Sequence, residues 1–566
     1  MPFLQEQPRF KGITLPPKGW VLAFLLSVYI FVGLIGHDPW KSDDAISIGI
    51  AYSIVMEGNW LLLTLAGQPH PDLPLYYWAA AITAHLFSWL LPLHDAARLA
   101  SGFFTLLALQ FILLASRELH GRDHAAAAPL LLAGSVGFLF HAHEAQPMLA
   151  ALAAHAAAYW ALALLPRRPV TAWFTLGIAI ATTFLANGLI PLIILLPIIF
   201  IAWCLSKNKA KEAVMLLLSL LLALAVISLW WLPLKDAHPE YLSALLLNEL
   251  SSLTQPINSL SNGLDYLTIL PWYAWPAFPL AVWFVWAKRR LLLERPLALP
   301  LFSFLLTLAI LSWRIDARSV TVLLLLPPLV LQAAPCVAIL RRGAANAFDW
   351  FSMATFSLAA IFVWIGWCAL VFGWPERFAQ QAVQFAPGFV GHFSLAAFLA
   401  SVLISCAWLW FVITTPRSPL RGIMSWMAGL TLFWFLVAIL WMPWIDYSKT
   451  YRSVSASLSK ALEARTDCIA NANTANGILA SLDYFDSVRT LPLRTEEGAR
   501  CNWLLIQGAA PEPKEMTAAG WRKRWEGKRP GDRGERDWLH LYQRDTRRRR
   551  VAPLPEIEEN PDHTHF

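Results

Sequence analysis

The chain has 566 residues, 57% of them hydrophobic and only 14% charged, with 29 tryptophans and a formal charge of +7. Soluble globular domains carry about a quarter charged residues, so this composition excludes a soluble enzyme and defines a membrane protein. The positive balance does not point to nucleic acid, because the basic residues are dispersed among short loops between apolar runs, where they report topology.

A hydrocarbon core about 30 Å thick takes roughly 20 apolar residues per helix. Such runs recur from Trp20 to Trp444, and thirteen spans are predicted, near 20–37, 96–116, 125–142, 147–165, 171–187, 188–205, 214–234, 267–287, 297–313, 319–340, 351–373, 395–414 and 426–444. Residues 1–19 are polar and punctuated by proline, and the first apolar run lacks an A-x-A-like exit. A cytoplasmic N-terminus ahead of a retained span is therefore expected, opening a transmembrane domain over 20–445. With that end inside, the inner loops hold eighteen Lys and Arg and the outer loops six: Lys41, Arg98, Lys235, Arg314, Arg318 and Arg377. The asymmetry predicts an N-terminus inside and a C-terminus outside.

Three outer loops are long, 38–95, 235–266 and 374–394, and loops beyond about 15 residues are usually functional. The first contains two apolar pieces, 45–56 and 75–91, that fall short of a span or would break the charge pattern. In 45–56, Ile46, Ile50 and Ile54 recur every four residues, which predicts a helix along the interface, ended by Gly58, with Trp60 at headgroup depth. Asp43 and Asp44 head that helix. Acids at a helix start satisfy orphan N–H groups and suit the dipole, so capping accounts for them alone, for Asp44 more readily than Asp43. Acids held at the membrane surface are also placed to meet a lipid headgroup.

After Pro443 the chain turns polar. Helix-like "YRSVSASLSKALEAR" and "NGILASLDYF" alternate with strand-like "CIANA", "VRTLPL", "CNWLLIQG" and "WLHLYQR", which predicts a small outer α/β domain over 446–545. Residues 546–566 read as a disordered tail, whose Arg547 to Arg550 run is either solvated or a contact for anionic headgroups. Cys468 and Cys501 form a disulfide if this domain faces an oxidising compartment, and otherwise stay as two unpaired thiols. The other four cysteines lie in apolar runs, where a thiol packs as a small hydrophobe. The sequence shows no P-loop, Gly-rich phosphate loop or CxxC pair.

The first outer loop reads "DDAISIGIAYSIVMEGNW" and then "LAGQPHPDLPLYYW". An acid pair, a fixed run to Gly-x-Trp, then a Gly, a Pro and a Pro-Leu-Tyr-Tyr-Trp ending resemble the first outer loop of bacterial GT-C glycosyltransferases of the aminoarabinose transferase and protein O-mannosyltransferase class. The resemblance implies a GT-C-like polytopic helical fold with an outer C-terminal domain. It makes Asp43 the catalytic carboxylate, Asp44 its acidic neighbour, and Asp72 and Tyr76 substrate contacts. The second block is one residue shorter than the family's, and the family's lysine falls on Leu73 or is missing. His70 and Asp72 are the candidates for a divalent metal, the one cofactor the resemblance allows.

The family also has a polar outer segment between the third and fourth spans, here "HAHEAQP", 141–147. His141, His143 and Glu144 are placed there to polarise an acceptor or bind a metal, against the plain alternative of polar residues at a span end. H-x-H-E lacks the four-residue spacing of a helical zinc pair. Arg314 and Arg318, in a short outer loop against the charge rule, correspond to the family's basic contact for the donor phosphate, with Asp316 the alternative partner. Glu249 falls on an acidic or His-containing stretch of relatives, or is a solvated acid.

The implied function is transfer of a sugar from a polyprenyl-phosphate (undecaprenyl-phosphate) donor to lipid A, another envelope glycan or protein, with Asp43 as base. The enzyme is expected as a monomer in the bacterial inner membrane, working on its periplasmic face among membrane lipids and without nucleic acid. A polytopic lipid or sugar transporter or flippase is the alternative, and would be expected to line an intramembrane path with charges. A non-catalytic assembly factor is a third.

Overall fold

With no water in hydrocarbon to satisfy backbone N–H and C=O groups, long apolar runs must pair them internally, and this chain does so as helices. The computed structural model describes residues 19–122, 125–254, 261–314, 320–416, 418, 420–462, 468–510 and 513–545. Residues 1–18, the tail 546–566, Asp316 and Arg318 lie outside the described residues, and Arg314 is described only as the last residue of its helix. Eight described helices are long and apolar enough to cross a membrane, nine if Asp265–Tyr273 and Ala277–Ala287 count as one broken span, and three further apolar helices are shorter. The chain is a multi-pass membrane protein, and each of the thirteen predicted spans falls on helix.

Two of those spans are broken. The run 125–142 is divided into Ala127–Ala133 and Val136–Ala142 at Gly134 and Ser135, where the Trp426 indole N–H takes the Gly134 carbonyl at 2.8 Å. The run 267–287 bends by 102° at a break that holds Pro276, which has no N–H to continue the helical ladder. The two apolar pieces of the first long loop form the helices Ser42–Glu57 and Leu75–Phe87, of 16 and 13 residues.

The last membrane helix runs through Met442–Lys449 and passes, across Thr450 and Tyr451, into Arg452–Leu462 without a linker. Beyond it lies a five-stranded sheet in the order Leu491–Pro492, Ile469–Ala472, Trp503–Gln507, Leu539–Arg544, Trp521–Gly527. The first two pairings are parallel and the last two antiparallel. Trp503–Gln507 reads as a continuous apolar run because both its faces are covered. Trp503 and Leu505 meet Val454, Leu458, Ile478 and Leu482 of the helices, while Leu504 and Ile506 meet Met516, Trp521 and Tyr542.

Cys468 and Cys501 are joined as a disulfide that closes a 33-residue separation. Alkylation of the unfolded, unreduced protein is expected to label the four remaining thiols, Cys204, Cys336, Cys368 and Cys406, and two more only after reduction. Mass spectrometry reads the difference, and six labelled cysteines without reductant would refute the bond. Removing it through Cys501→Ser should destabilise the domain by about 2–4 kcal/mol.

Candidate active site

The loop helix Ser42–Glu57 positions the site. Its C-terminus is fixed by Gly58, whose φ of 72° is the left-handed conformation that glycine adopts without a Cβ penalty and whose N–H closes on Ile54. The helix does not lie open along the interface as its isoleucine stripe suggests. Ile48, Ile50 and Ile54 are buried, and so are Ser47 and Ser53 on other faces. The reason is a second helix, Asn476–Asp486 of the C-terminal domain, packed directly upon it. A Cβ on Gly477 would stand 2.9 Å from the Ser42 backbone, so only glycine permits the approach. Trp60 is exposed, as expected of a headgroup-depth residue.

Asp44 is buried, but not as a cap: Lys41 occupies the N-cap position and no side chain caps the helix. The Asp44 carboxylate instead receives Arg98 in bidentate fashion, Nε at 3.0 Å and Nη2 at 2.8 Å, and the Ala145 N–H at 2.7 Å. Burial by itself would raise this carboxyl; the Arg98 charge and hydrogen bonds outweigh it and hold the group below the ordinary carboxylate range. Arg98 is completely buried, and its Nη1 also donates to the His37 carbonyl at 2.7 Å and to Asp95 at 3.1 Å. Its fork is thereby spent inside the protein.

Asp43 stands on the open side. It is half-buried and accepts from Gln146 Nε2 at 3.1 Å. Beside it Lys41 is ion-paired with Glu144, and the lysine side chain is 38% exposed against 12% for the glutamate. Burial lowers the Lys41 ammonium while Asp44 and Asp43 oppose the shift. The structure thus brings together the partly exposed Lys41 and Asp43 with the buried Glu144 and Gln146, beside the Asp44–Arg98 pair.

Other expected residues are placed differently. Tyr76 is fully buried, and its hydroxyl meets Ser101 Oγ at 2.6 Å, which in turn donates to the Glu144 carbonyl at 2.5 Å. It is a brace beneath the Glu144 turn and not a surface that substrate reaches. His143 is a core histidine, its ring held between the Tyr29 and Leu139 carbonyls at 2.6 and 3.0 Å, and His141 is buried against Tyr273. Glu249 takes the Leu189 N–H at 2.7 Å at the start of Leu189–Cys204, and burial raises its carboxyl. Asp72 accepts from the Tyr77 hydroxyl at 2.6 Å and the Leu73 N–H at 2.7 Å. Burial raises the Tyr77 hydroxyl, and the charges of Asp72 and Asp43 add to that shift.

At His70 and Asp72, the two residues expected for a metal, each Asp72 oxygen accepts one hydrogen bond from the protein. Among the described residues no group of three or more His, Cys, Asp or Glu is arranged to hold an ion. The Tyr241 hydroxyl donates to the His70 carbonyl at 2.8 Å, tying this segment to helix Pro239–Thr254 of the second long loop.

Sequence reasoning also missed a clamp behind the site. Asp38 receives Arg452 Nε at 2.9 Å and Thr450 Oγ1 at 2.7 Å, and its own N–H donates to Asp446 at 2.8 Å. Burial would raise Asp38, but these partners hold it low. His94 meets the Tyr484 hydroxyl at 2.7 Å, and Arg489 bridges Glu57 and Asp483 at 2.9 Å each. The first loop and the C-terminal domain are one piece around Asp43.

The architecture is a polytopic helical domain whose first long loop carries an acid pair, with a sheet domain seated on that loop. The overall fold matches ArnT from Cupriavidus metallidurans bound to undecaprenyl phosphate with a TM-score of 0.63 at 15% identity, over 93% of this chain and 98% of that one. The apo state of the same protein matches at 0.62. In sequence, the undecaprenyl phosphate-alpha-4-amino-4-deoxy-L-arabinose arabinosyl transferase 2 of Proteus mirabilis (strain HI4320) is 27% identical over 232 residues, 38% of this chain and 40% of that protein. The match therefore spans less than half of that relative. No family model matches the chain.

Proposed function

We propose that the protein is an integral-membrane glycosyltransferase that moves a sugar from a polyprenyl-phosphate donor to a hydroxyl of a periplasmic acceptor, with Asp43 as the base. The acceptor oxygen attacks the anomeric carbon, the bond from that carbon to the phosphate oxygen breaks with its electron pair leaving on the phosphate, and the acceptor proton passes to Asp43. Direct displacement inverts the anomeric centre. The observation that carries the reading is the division of labour in the acid pair: Asp44 is sealed against Arg98, while Asp43 is presented half-open beside Glu144 and Gln146.

A fold shared with a protein crystallised with undecaprenyl phosphate supports a lipid-phosphate donor. Such a donor keeps its tail in the bilayer and its phosphate at the surface, so no soluble nucleotide domain is needed. The excess of eighteen over six basic residues supports a cytoplasmic N-terminus with the site and C-terminal domain on the periplasmic face, and a disulfide in that domain supports the same orientation. Glu144 and Asp72 serve as substrate contacts, with lipid A, another envelope glycan or protein as acceptor.

The test is transfer by the purified full-length protein. Undecaprenyl-phosphate sugars are offered with an envelope lipid or protein extract, and labelled sugar in the acceptor is measured together with its anomeric configuration. Inverted product is expected. No transfer, with transport of the donor across vesicles instead, would establish the flippase alternative.

A further inference from the structure

We propose that Lys41 Nζ is the cation that meets the donor's phosphate, held ready by Glu144 and exchanged from that carboxylate to the phosphate when the donor enters. The inference rests on the transferase reading above and goes beyond it by naming the group that receives the leaving charge.

A phosphate departing from an anomeric carbon leaves with an extra negative charge, and it would do so next to Asp43, Asp44 and Glu144. Without a cation facing it, those carboxylates would repel both the donor and the developing charge. Two described cations lie in this cluster. Arg98 is completely buried, with its guanidinium engaged by Asp44, Asp95 and the His37 carbonyl, so no ligand can reach it without dismantling the loop. Lys41 differs in each respect. It precedes the acid-bearing helix, its side chain is more than a third exposed, and its ion pair is with Glu144, which is bound to the protein through a flexible side chain. Its ammonium is steered further by the Trp40 ring, 5.4 Å from Nζ.

The ion pair explains why such a lysine tolerates its position. Burial lowers the Lys41 ammonium, the charges of Asp44 and Asp43 oppose that shift, and Glu144 pairs with it directly. The donor's phosphodiester matches a carboxylate's single charge, and the phosphate that departs gains a second charge and a third acceptor oxygen, so its competition for the three Nζ donors becomes more favourable as the bond to the sugar breaks. Exchange also releases Glu144 next to Asp43, on the side from which an acceptor hydroxyl would approach. A positive centre on the outer face, against the general charge rule, is thereby given a function.

The experiment uses the purified full-length protein in detergent and measures the dissociation constant for undecaprenyl phosphate by quenching of intrinsic tryptophan fluorescence, alongside steady-state transfer. Lys41→Gln is expected to weaken binding about tenfold or more, the scale of one charge-assisted hydrogen bond. Lys41→Arg keeps the charge and should stay close to wild type. Glu144→Gln removes the competing carboxylate and should bind undecaprenyl phosphate at least as tightly as wild type. Thermal unfolding of each variant reports folding, and Lys41→Arg with Glu144→Gln carries the test if Lys41→Gln does not fold, because weaker binding in Glu144→Gln contradicts the exchange. Inorganic phosphate and phosphatidylglycerol nanodiscs are measured in parallel. A Lys41 dependence seen with phosphatidylglycerol alone would assign the lysine to the bulk lipid headgroup and overturn the proposal, as would an unchanged constant in Lys41→Gln. If wild-type protein binds the lipid phosphate through Lys41 yet transfers no sugar, the transferase reading fails instead.

Discussion

Replacing Asp43 by Asn is expected to abolish measurable sugar transfer, lowering kcat by at least ~100-fold, the scale of a lost general base, with little change in donor binding. The substitution is nearly isosteric, and its carbonyl oxygen still accepts from Gln146 Nε2, so the loop contact at 3.1 Å survives. Asp43 is half-buried and does not share in the bidentate pair beneath it, so thermal stability should stay within the small range of a surface substitution. That separation of activity from stability is the signature sought. Asp44→Asn makes the contrast, because it breaks a sealed ion pair and should lower stability and activity together. Full activity in Asp43→Asn would remove it as the base, and the next carboxylate to examine is Glu144.

The membrane spans were legible because hydrocarbon thickness demands length, and length is what a hydropathy window measures. Breaks inside a span were not. Gly134 and Ser135 interrupt a helix inside an apolar run, and the 102° bend at residues 274–276 falls in a run that is still apolar enough to read as one span. In the outer domain four strands were read from their apolar runs. The fifth, Trp521–Gly527, was missed because Arg522, Lys523 and Arg524 are exposed in succession, with a register shift between Lys523 and Trp525, so the edge strand shows no alternation.

The site followed the same division. Asp43 and Asp44 stood out as acids directly after an apolar run, but what separates their roles lies far away in sequence. Arg98 was counted only as a charge on the outer face, although a basic residue there, three positions after Asp95, breaks the topology rule and signals a partner. Lys41 was passed over in the same way. The Arg452 clamp on Asp38 joins residues 414 apart, and no local pattern announces such a pairing.

Arg98→Met is expected to be the most damaging single change to the fold of the site. It leaves Asp44 and Asp95, 2% and 3% exposed, buried without their guanidinium, and removing one partner of a buried ion pair costs about 3–5 kcal/mol. The sign of the pH dependence distinguishes this cause from lost packing. In the wild type the folded Asp44 carboxyl is held below its unfolded value, so the pair's contribution is present above about pH 4 and is lost as pH falls through the lower, folded value. In the variant, burial acts unopposed and raises the carboxyls, so protonation relieves the strain of a buried charge and stability should rise as pH falls from neutral toward 5. The signal is the difference between variant and wild type, because His94, which burial pushes down to about 3, lowers wild-type stability as pH falls across the same window. Thermal unfolding of both proteins between pH 7 and 5 checks this, and a variant whose pH response matches that of wild type would mean that volume, and not charge, is what Arg98 supplies. Adding Asp44→Asn to Arg98→Met should recover part of the loss, because the neutral amide needs no counter-ion and can still accept from the Ala145 N–H. Recovery of stability without recovery of transfer is the expected outcome, since the pair holds the first turn of the loop helix in the orientation that presents Asp43.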